Sequence, residues 1–309
     1  MKKILITGGA GYIGSALIEK LLPLQEVEQI VIYDNLSRNN YHFFLGNKLP
    51  NQEKINFIQG ELLDTRKLKK ALNGIDTVIH LAAKVTTPFA DADPHYFEQS
   101  NHWGTAELVY AVEESEVDHF IFASSVSVFG SSTDLIGENH HPNPRTIYGI
   151  SKLRGEEHVA RLMDKINTQI LRLGNVYGFA NAVRFDAVIN RFMFDANFNN
   201  QIAIHGDGKQ HRPFISIQKA SEILKEVSIN HDIPSDYYNV VDQNLQVLDI
   251  VDALKAIYPD MEFTFINQHL KLRELLVSPD SKLQKYIDFP KSNTNLKDDL
   301  MIFKEALRF

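Results

Sequence analysis

The run Lys3-Ile4-Leu5-Ile6 leads straight into Thr7-Gly8-Gly9-Ala10-Gly11-Tyr12-Ile13-Gly14, after which Ile13, Leu17, Ile18 and Leu21 recur at helical spacing. No other segment constrains this chain as strongly. A short, continuous apolar run is what a strand buried on both faces requires, as in a parallel sheet. The glycines divide the remaining work. Gly8 allows a tight turn, Gly11 lets a pyrophosphate approach the backbone, and Gly14 lets the helix pack close to the strand. The helix N-terminus then offers free N–H groups and a positive dipole end to the phosphates. The spacing is G-x-x-G-x-x-G rather than the commoner G-x-G-x-x-G, but its place between strand and helix is that of a dinucleotide turn.

A second strand, Gln29-Ile30-Val31-Ile32-Tyr33, ends in Asp34, 20 residues beyond Gly14. An acid there accepts hydrogen bonds from the adenosine ribose hydroxyls and repels a 2′-phosphate, which favours NAD over NADP. Arg38 lies nearby and keeps NADP open. Further apolar runs at residues 54–58, 77–81, 119–122 and 169–173 alternate with helical stretches near 65–72, 94–116 and 149–166. That alternation implies an α/β fold with a doubly wound parallel sheet and right-handed crossovers. Ligands are expected beyond the carboxyl ends of its strands.

The pattern changes after Gly174, where loops lengthen and Asn and Phe become frequent. We therefore expect a dinucleotide-binding Rossmann domain over residues 1–173, with a returning segment near 212–243 that includes the strand-like Tyr237-Tyr238-Asn239-Val240-Val241. Residues 174–211 and 244–309 form a smaller C-terminal α/β lobe for the substrate. The chain has 309 residues, 44% hydrophobic and 23% charged, which is ordinary for a globular protein with a large core. A net charge of −7 argues against a nucleic-acid or anionic-membrane surface. There is no cysteine, so disulfides, thiolate catalysis and cysteine-bound metal are excluded. No signal peptide and no spanning apolar stretch is visible, and a cytoplasmic location is expected.

The chemistry is carried by Tyr148-Gly149-Ile150-Ser151-Lys152 and Ser124-Ser125. Tyr148 and Lys152 are four residues apart and share a helix face. A phenol with a pKa of about 10 is a poor base at neutral pH. A cation beside it, or the positive charge of an oxidised nicotinamide, stabilises the phenolate. Lysine also has three donors with which to hold the nicotinamide ribose. Ser125 follows a strand, near the carboxyl edge of the sheet, where its hydroxyl bridges phenol and substrate oxygen.

At this point the chain resembles the extended short-chain dehydrogenases/reductases of the NAD-dependent epimerase/dehydratase family. The resemblance runs along nearly the whole chain. It rests on the glycine turn, Asp34-Asn35-Leu36-Ser37, His80-Leu81-Ala82-Ala83, Asn101 with Gly104-Thr105, Ser124-Ser125-Val126-Ser127-Val128-Phe129-Gly130, Tyr148 to Lys152, and Leu171-Arg172-Leu173-Gly174-Asn175-Val176-Tyr177-Gly178. It implies Ser125, Tyr148 and Lys152 as the catalytic set. It implies cofactor contacts from Gly8, Gly11, Tyr12, Ile13, Gly14, Asp34, Asn35, Glu61, Leu62, Leu81, Ala82, Ala83, Lys84 and Asn101, joined by Tyr148 and Lys152. It further implies that Asn175 contacts the substrate. Thr86 lies just past a strand end, where substrate contact is expected. Gly206-Asp207-Gly208-Lys209-Gln210-His211-Arg212 is similar to the stretch that ends in a diphosphate-binding arginine, a role suited to the guanidinium fork. Arg184-Phe185-Asp186 with Asn190 is similar to a segment of some epimerases.

Departures bear on the substrate. Pro213 stands where the family has Asp, no Asp occurs in Ser216-Ile217-Gln218-Lys219, Glu61 replaces an Asp and Phe129 a Tyr. The 4,6-dehydratases of the family carry acids directly after the residue that matches Ser125, and here Val126 and Ser127 stand there. Elimination is therefore disfavoured. The expectation is 4-epimerisation of a nucleotide-diphosphate sugar with NAD; net dehydrogenation and a non-catalytic cofactor-binding role are the alternatives. A metal site is not expected, since His140-His141 has no third ligand nearby and Asp91, Asp93 and His95 sit where helix caps belong. We expect a homodimer, with Trp103, the one tryptophan, in the core or at the interface.

Overall fold

The computed structural model describes residues 2–45, 48–85, 93–267, 273–290 and 295–308. The chain opens with β1 (Lys2–Thr7), α1 (Tyr12–Leu21), β2 (Val27–Asp34), β3 (Ile55–Gln59), α2 (Thr65–Ala71) and β4 (Thr77–His80). Helix α3 (Pro94–Phe97) runs through a π-helical turn over Glu98–Trp103 into α4 (Gly104–Glu113). Then come β5 (His119–Ser125), β6 (Ser132–Ile136), α5 (Ile147–Val159) and β7 (Asn167–Leu173). Beyond them lie β8 (Asn175–Tyr177), α6 (Val188–Asn199), β9 (Gln201–His205), β10 (His211–Ser216), α7 (Ile217–Ile229) and β11 (Asp236–Val240). The last elements are β12 (Gln243–Gln246), α8 (Val247–Lys255), β13 (Glu262–Ile266), β14 (Leu275–Val277) and α9 (Leu296–Ala306).

The main sheet has seven strands in the order β11-β7-β5-β4-β1-β2-β3, and every neighbouring pair is parallel. It is a doubly wound Rossmann sheet. Side chains alternate across it. Ile4, Ile6 and Ile32 face Leu17 and Ile18 of α1 and Ile223 and Val227 of α7. Leu5, Val78 and Phe120 face the opposite layer, where Leu68 of α2, Leu108 and Val112 of α4 and Val159 of α5 pack. With both faces covered, the central strands β1, β4 and β5 are apolar through their middles, hence the short apolar runs in the sequence.

The order of connection reverses between β1 and β4, so the crevice for a ligand opens beyond their carboxyl ends. The returning segment divides its contacts. Its first strand, β10, pairs with β8 and β12 in a three-stranded sheet, α7 packs on α1, and β11 adds to β7. A separate core gathers Met193, Ile202, Ile204, Phe214, Ile250, Leu254, Leu300 and Phe303 around α6, α8 and α9. Among the described residues, no helix is long and apolar enough to cross a membrane.

Candidate active site

The glycine turn is shaped by close approach. Gly8 has φ +70°, and a Cβ there would lie 2.6 Å from the backbone nitrogen of Ala82. A Cβ on Gly14 would lie 2.6 Å from the Cα of Gly9, so the glycine sets how closely α1 meets the turn. Gly11 is the N-cap of α1 and supplies no side-chain cap, which leaves first-turn N–H groups open to an anion. The phenol of Tyr12 is turned away from the cleft mouth and donates to the Gly178 carbonyl at 2.6 Å.

At the end of β2 the two oxygens of Asp34 accept from Ala10 N–H at 3.1 Å and Leu36 N–H at 2.8 Å. Burial pushes its carboxyl above the usual range, against the lowering effect of those two hydrogen bonds. Asn35 donates to Glu61 at 3.0 Å, which fixes the far wall. An uncapped helix start, a glycine-lined approach and an oriented acid fit a dinucleotide. Gly8, Gly11, Gly14, Asp34, Asn35, Glu61, Leu62, Leu81, Ala82, Ala83 and Lys84 would hold NAD here.

The reacting end is built by α5. Its cap, Thr146, accepts from Gly149 N–H at 3.0 Å. A Cβ on Gly149 would lie 2.6 Å from the Ser127 carbonyl, so glycine lets the helix start against the turn that follows β5. That contact brings the Tyr148 phenol near the Ser125 hydroxyl, whose influence lowers the phenol's pKa. Gly155 does the same lower down, where a Cβ would meet the Asn101 carbonyl at 2.9 Å. Lys152 is 2% exposed, and its Nζ lies 4.0 Å from the centroid of the Phe122 ring. Burial lowers its pKa to about 7, with Glu156 pulling the other way. Glu156 is itself bound by Arg172 through two hydrogen bonds, of 3.1 and 2.7 Å, and accepts from Ser124.

Burial raises the Tyr148 pKa. The positive charge that opposes this is Arg184's, with the Ser125 hydroxyl adding to it.

Gly8, Gly11, Tyr12, Ile13, Gly14, Asp34, Asn35, Glu61, Leu62, Leu81, Ala82, Ala83, Lys84, Ser125, Tyr148, Lys152 and Asn175 line one continuous cleft. Two expected residues among those described stand apart. Asn101 is fully buried in the π-helical turn, where it accepts from Lys84 N–H at 2.7 Å and donates to the Lys84 carbonyl and the Ser151 hydroxyl, both at 2.9 Å. It props the cleft wall from behind rather than lining it. Arg212 does not line the cleft; it sits on β10 beside Arg273 and Glu274. Thr86 lies outside the described residues. Arg184, Tyr96 and Gln99 line the cleft without having been singled out for it. Arg184 had a signal, the Arg184-Phe185-Asp186 segment, but its approach to Tyr148 spans 36 positions and no local spacing reveals it.

A parallel sheet with a dinucleotide cleft at its switch point, and serine, tyrosine and lysine gathered at one end of that cleft, defines a short-chain dehydrogenase/reductase of the extended type. The comparisons agree. The profile of the NAD dependent epimerase/dehydratase family matches residues 4–240. A putative UDP-glucose 4-epimerase of Methanocaldococcus jannaschii is 33% identical over 222 residues, covering 69% of each chain. A dTDP-D-glucose 4,6-dehydratase of Mus musculus is 32% identical over 77% of this chain and 68% of its own. Among solved structures, the UDP-glucuronic acid 4-epimerase of Bacillus cereus, in complex with UDP-glucuronic acid and NAD, matches at 26% identity and TM-score 0.85 over 98% of both chains. The chain belongs to the NAD-dependent epimerase/dehydratase family and is an NAD-dependent enzyme of that class.

Proposed function

We propose that the protein is an epimerase of a nucleotide-diphosphate sugar that oxidises and re-reduces one carbon, C4, through a 4-keto sugar. One observation carries the choice among the family's reactions. Among the described residues the acids lining the cleft are Asp34 and Glu61. Both sit at the adenosine end: Asp34, closing β2, is three strands and about 14 Å from β5 across the sheet, and Glu61, past the end of β3, is four strands and about 19 Å from it. At the reacting end, Val126 is buried and Ser127 bears only a hydroxyl. A proton can be moved at one hydroxyl there, but no carboxyl stands ready to assist loss of water.

Bound NAD supplies the hydride acceptor and donor. Tyr148 takes the C4 hydroxyl proton, directly or through Ser125, and returns it when the ketone is reduced. Arg184 favours the phenolate in this step. Lys152 holds the nicotinamide ribose, and Glu156 with Arg172 fixes the floor beneath it. Asn175, which lines the cleft, anchors the diphosphate while the sugar turns over. Binding by parts that do not react is how such a site positions the carbon that does.

A homodimer through α4 and α5 suits the exposed Trp103, Tyr110 and Ile150, and a nucleotide-sugar substrate suits the cytoplasm. The decisive experiment is incubation with a panel of nucleotide sugars, followed by NMR and by absorbance at the NADH band together. Interconversion of C4 epimers without a rise in NADH is expected. Stoichiometric NADH would mean a dehydrogenase, and a stable 4-keto-6-deoxy product would mean a dehydratase.

A further inference from the structure

Arg38 is the one cation lining the adenosine side of the cleft among the described residues. It lies four positions after Asp34, in a turn that Asp34 itself pins through Leu36 N–H. Leu36 and Asn39 both adopt left-handed backbone there, with φ 57° and 54°. A guanidinium so placed suits a 2′-phosphate and would undercut the discrimination that Asp34 provides. In this structure it is already engaged. Its Nη2 donates to Asp186 Oδ1 at 3.0 Å, and Asp186 comes from the segment between β8 and α6, on the other side of the cleft. The same oxygen lies 3.1 Å from Nε of Arg184.

We propose that Asp186 is a specificity-determining residue for the cofactor: by holding Arg38 it keeps that guanidinium from a 2′-phosphate and so protects the preference for NAD. Asp34 excludes NADP by repulsion; Asp186 excludes it by occupying the residue that would compensate. Arg38 and Asp186 are both partly exposed, so the pair holds weakly and competes with a phosphate on nearly equal terms.

Calorimetric titration of the cofactor-free protein with NAD and with NADP tests this. Asp186→Asn should leave NAD affinity within about twofold and strengthen NADP binding by about fivefold, the most that a partly exposed ion pair withholds. In an Arg38→Ala background the same substitution should give no such gain. A gain that persists without Arg38 would mean that the lost negative charge, or Arg184, is responsible, and would overturn the proposal. So would an unchanged NADP to NAD ratio, or an equal change for both cofactors. Asp186→Ala, with thermal melts of every variant, separates these outcomes from misfolding.

Discussion

Replacing Lys152 by methionine should make the cofactor-free protein more stable while abolishing its activity. The lysine is 2% exposed and lies against Phe122. Burial takes its pKa from an ordinary 10.5 to about 7. At neutral pH that fall corresponds to a cost on the order of 4 kcal/mol for carrying an ionisable amine into this position. Between about pH 7 and 10.5 the unfolded chain binds the proton and the folded one does not, so stability from this group rises with pH across that window. Methionine keeps the length and the contact with the ring but carries no charge, and the Glu156–Arg172 pair below remains closed. Lys152→Met should therefore raise the melting temperature at pH 7 by roughly 5–10 °C. The gain should shrink as pH climbs toward 10, and the wild type should gain stability relative to the variant over the same range. Urea denaturation at a series of pH values, without cofactor, reads both effects. A variant less stable than wild type at pH 7, or a gain independent of pH, would show that the ammonium is paired rather than penalised.

Tyr148→Phe should fold and bind NAD as before, yet lose turnover by roughly 10²-fold or more, the scale for a missing acid–base group; near-normal turnover in a steady-state assay would remove Tyr148 from the mechanism. Gly8→Ala places a methyl 2.6 Å from the Ala82 nitrogen at φ +70°. It should cost on the order of 2 kcal/mol of stability together with most of the NAD affinity, read by melting and calorimetry. Glu156→Ala leaves Arg172 buried and unpaired. A loss of about 3–5 kcal/mol is expected on chemical denaturation, and a loss below about 1 kcal/mol would mean that water or Ser124 rescues the arginine.

The cofactor half could be read from the sequence because its signals are local. A strand covered on both faces must be apolar throughout, so Ile4 to Ile6 and Phe120 to Phe122 announce themselves, and the glycines fall where backbone meets backbone. Tyr148 and Lys152 followed from one helical repeat. What escaped depends on packing between distant segments. Asn101 has the residue type of a ligand contact, but the π-helical turn points its amide at Lys84 and Ser151. Arg184 faces Tyr148, while Arg212 lies off the cleft beside Arg273. The course of the chain between β8 and α6 decides both, and no periodicity in residues 178–187 encodes it.

Asn190 accepts from Gly178 N–H at 2.9 Å, and its amide donates to the Arg184 carbonyl at 3.0 Å and to the Tyr12 hydroxyl at 3.3 Å. Tyr12 is the first residue of α1, and its phenol also grips Gly178. The helix that faces the pyrophosphate and the loop that carries Arg184 are thus tied by side chains, with no strand pairing between them. Tyr12 and Asn190 join the Asn181–Glu19 hydrogen bond and the packing of Tyr12 on Ala180 in setting how cofactor and substrate are aligned. An exchange of substrate lobes between relatives, made to change which sugar is accepted, has to carry these contacts across as a unit; a graft that keeps every sheet contact but loses them would bind both ligands and hold them out of line.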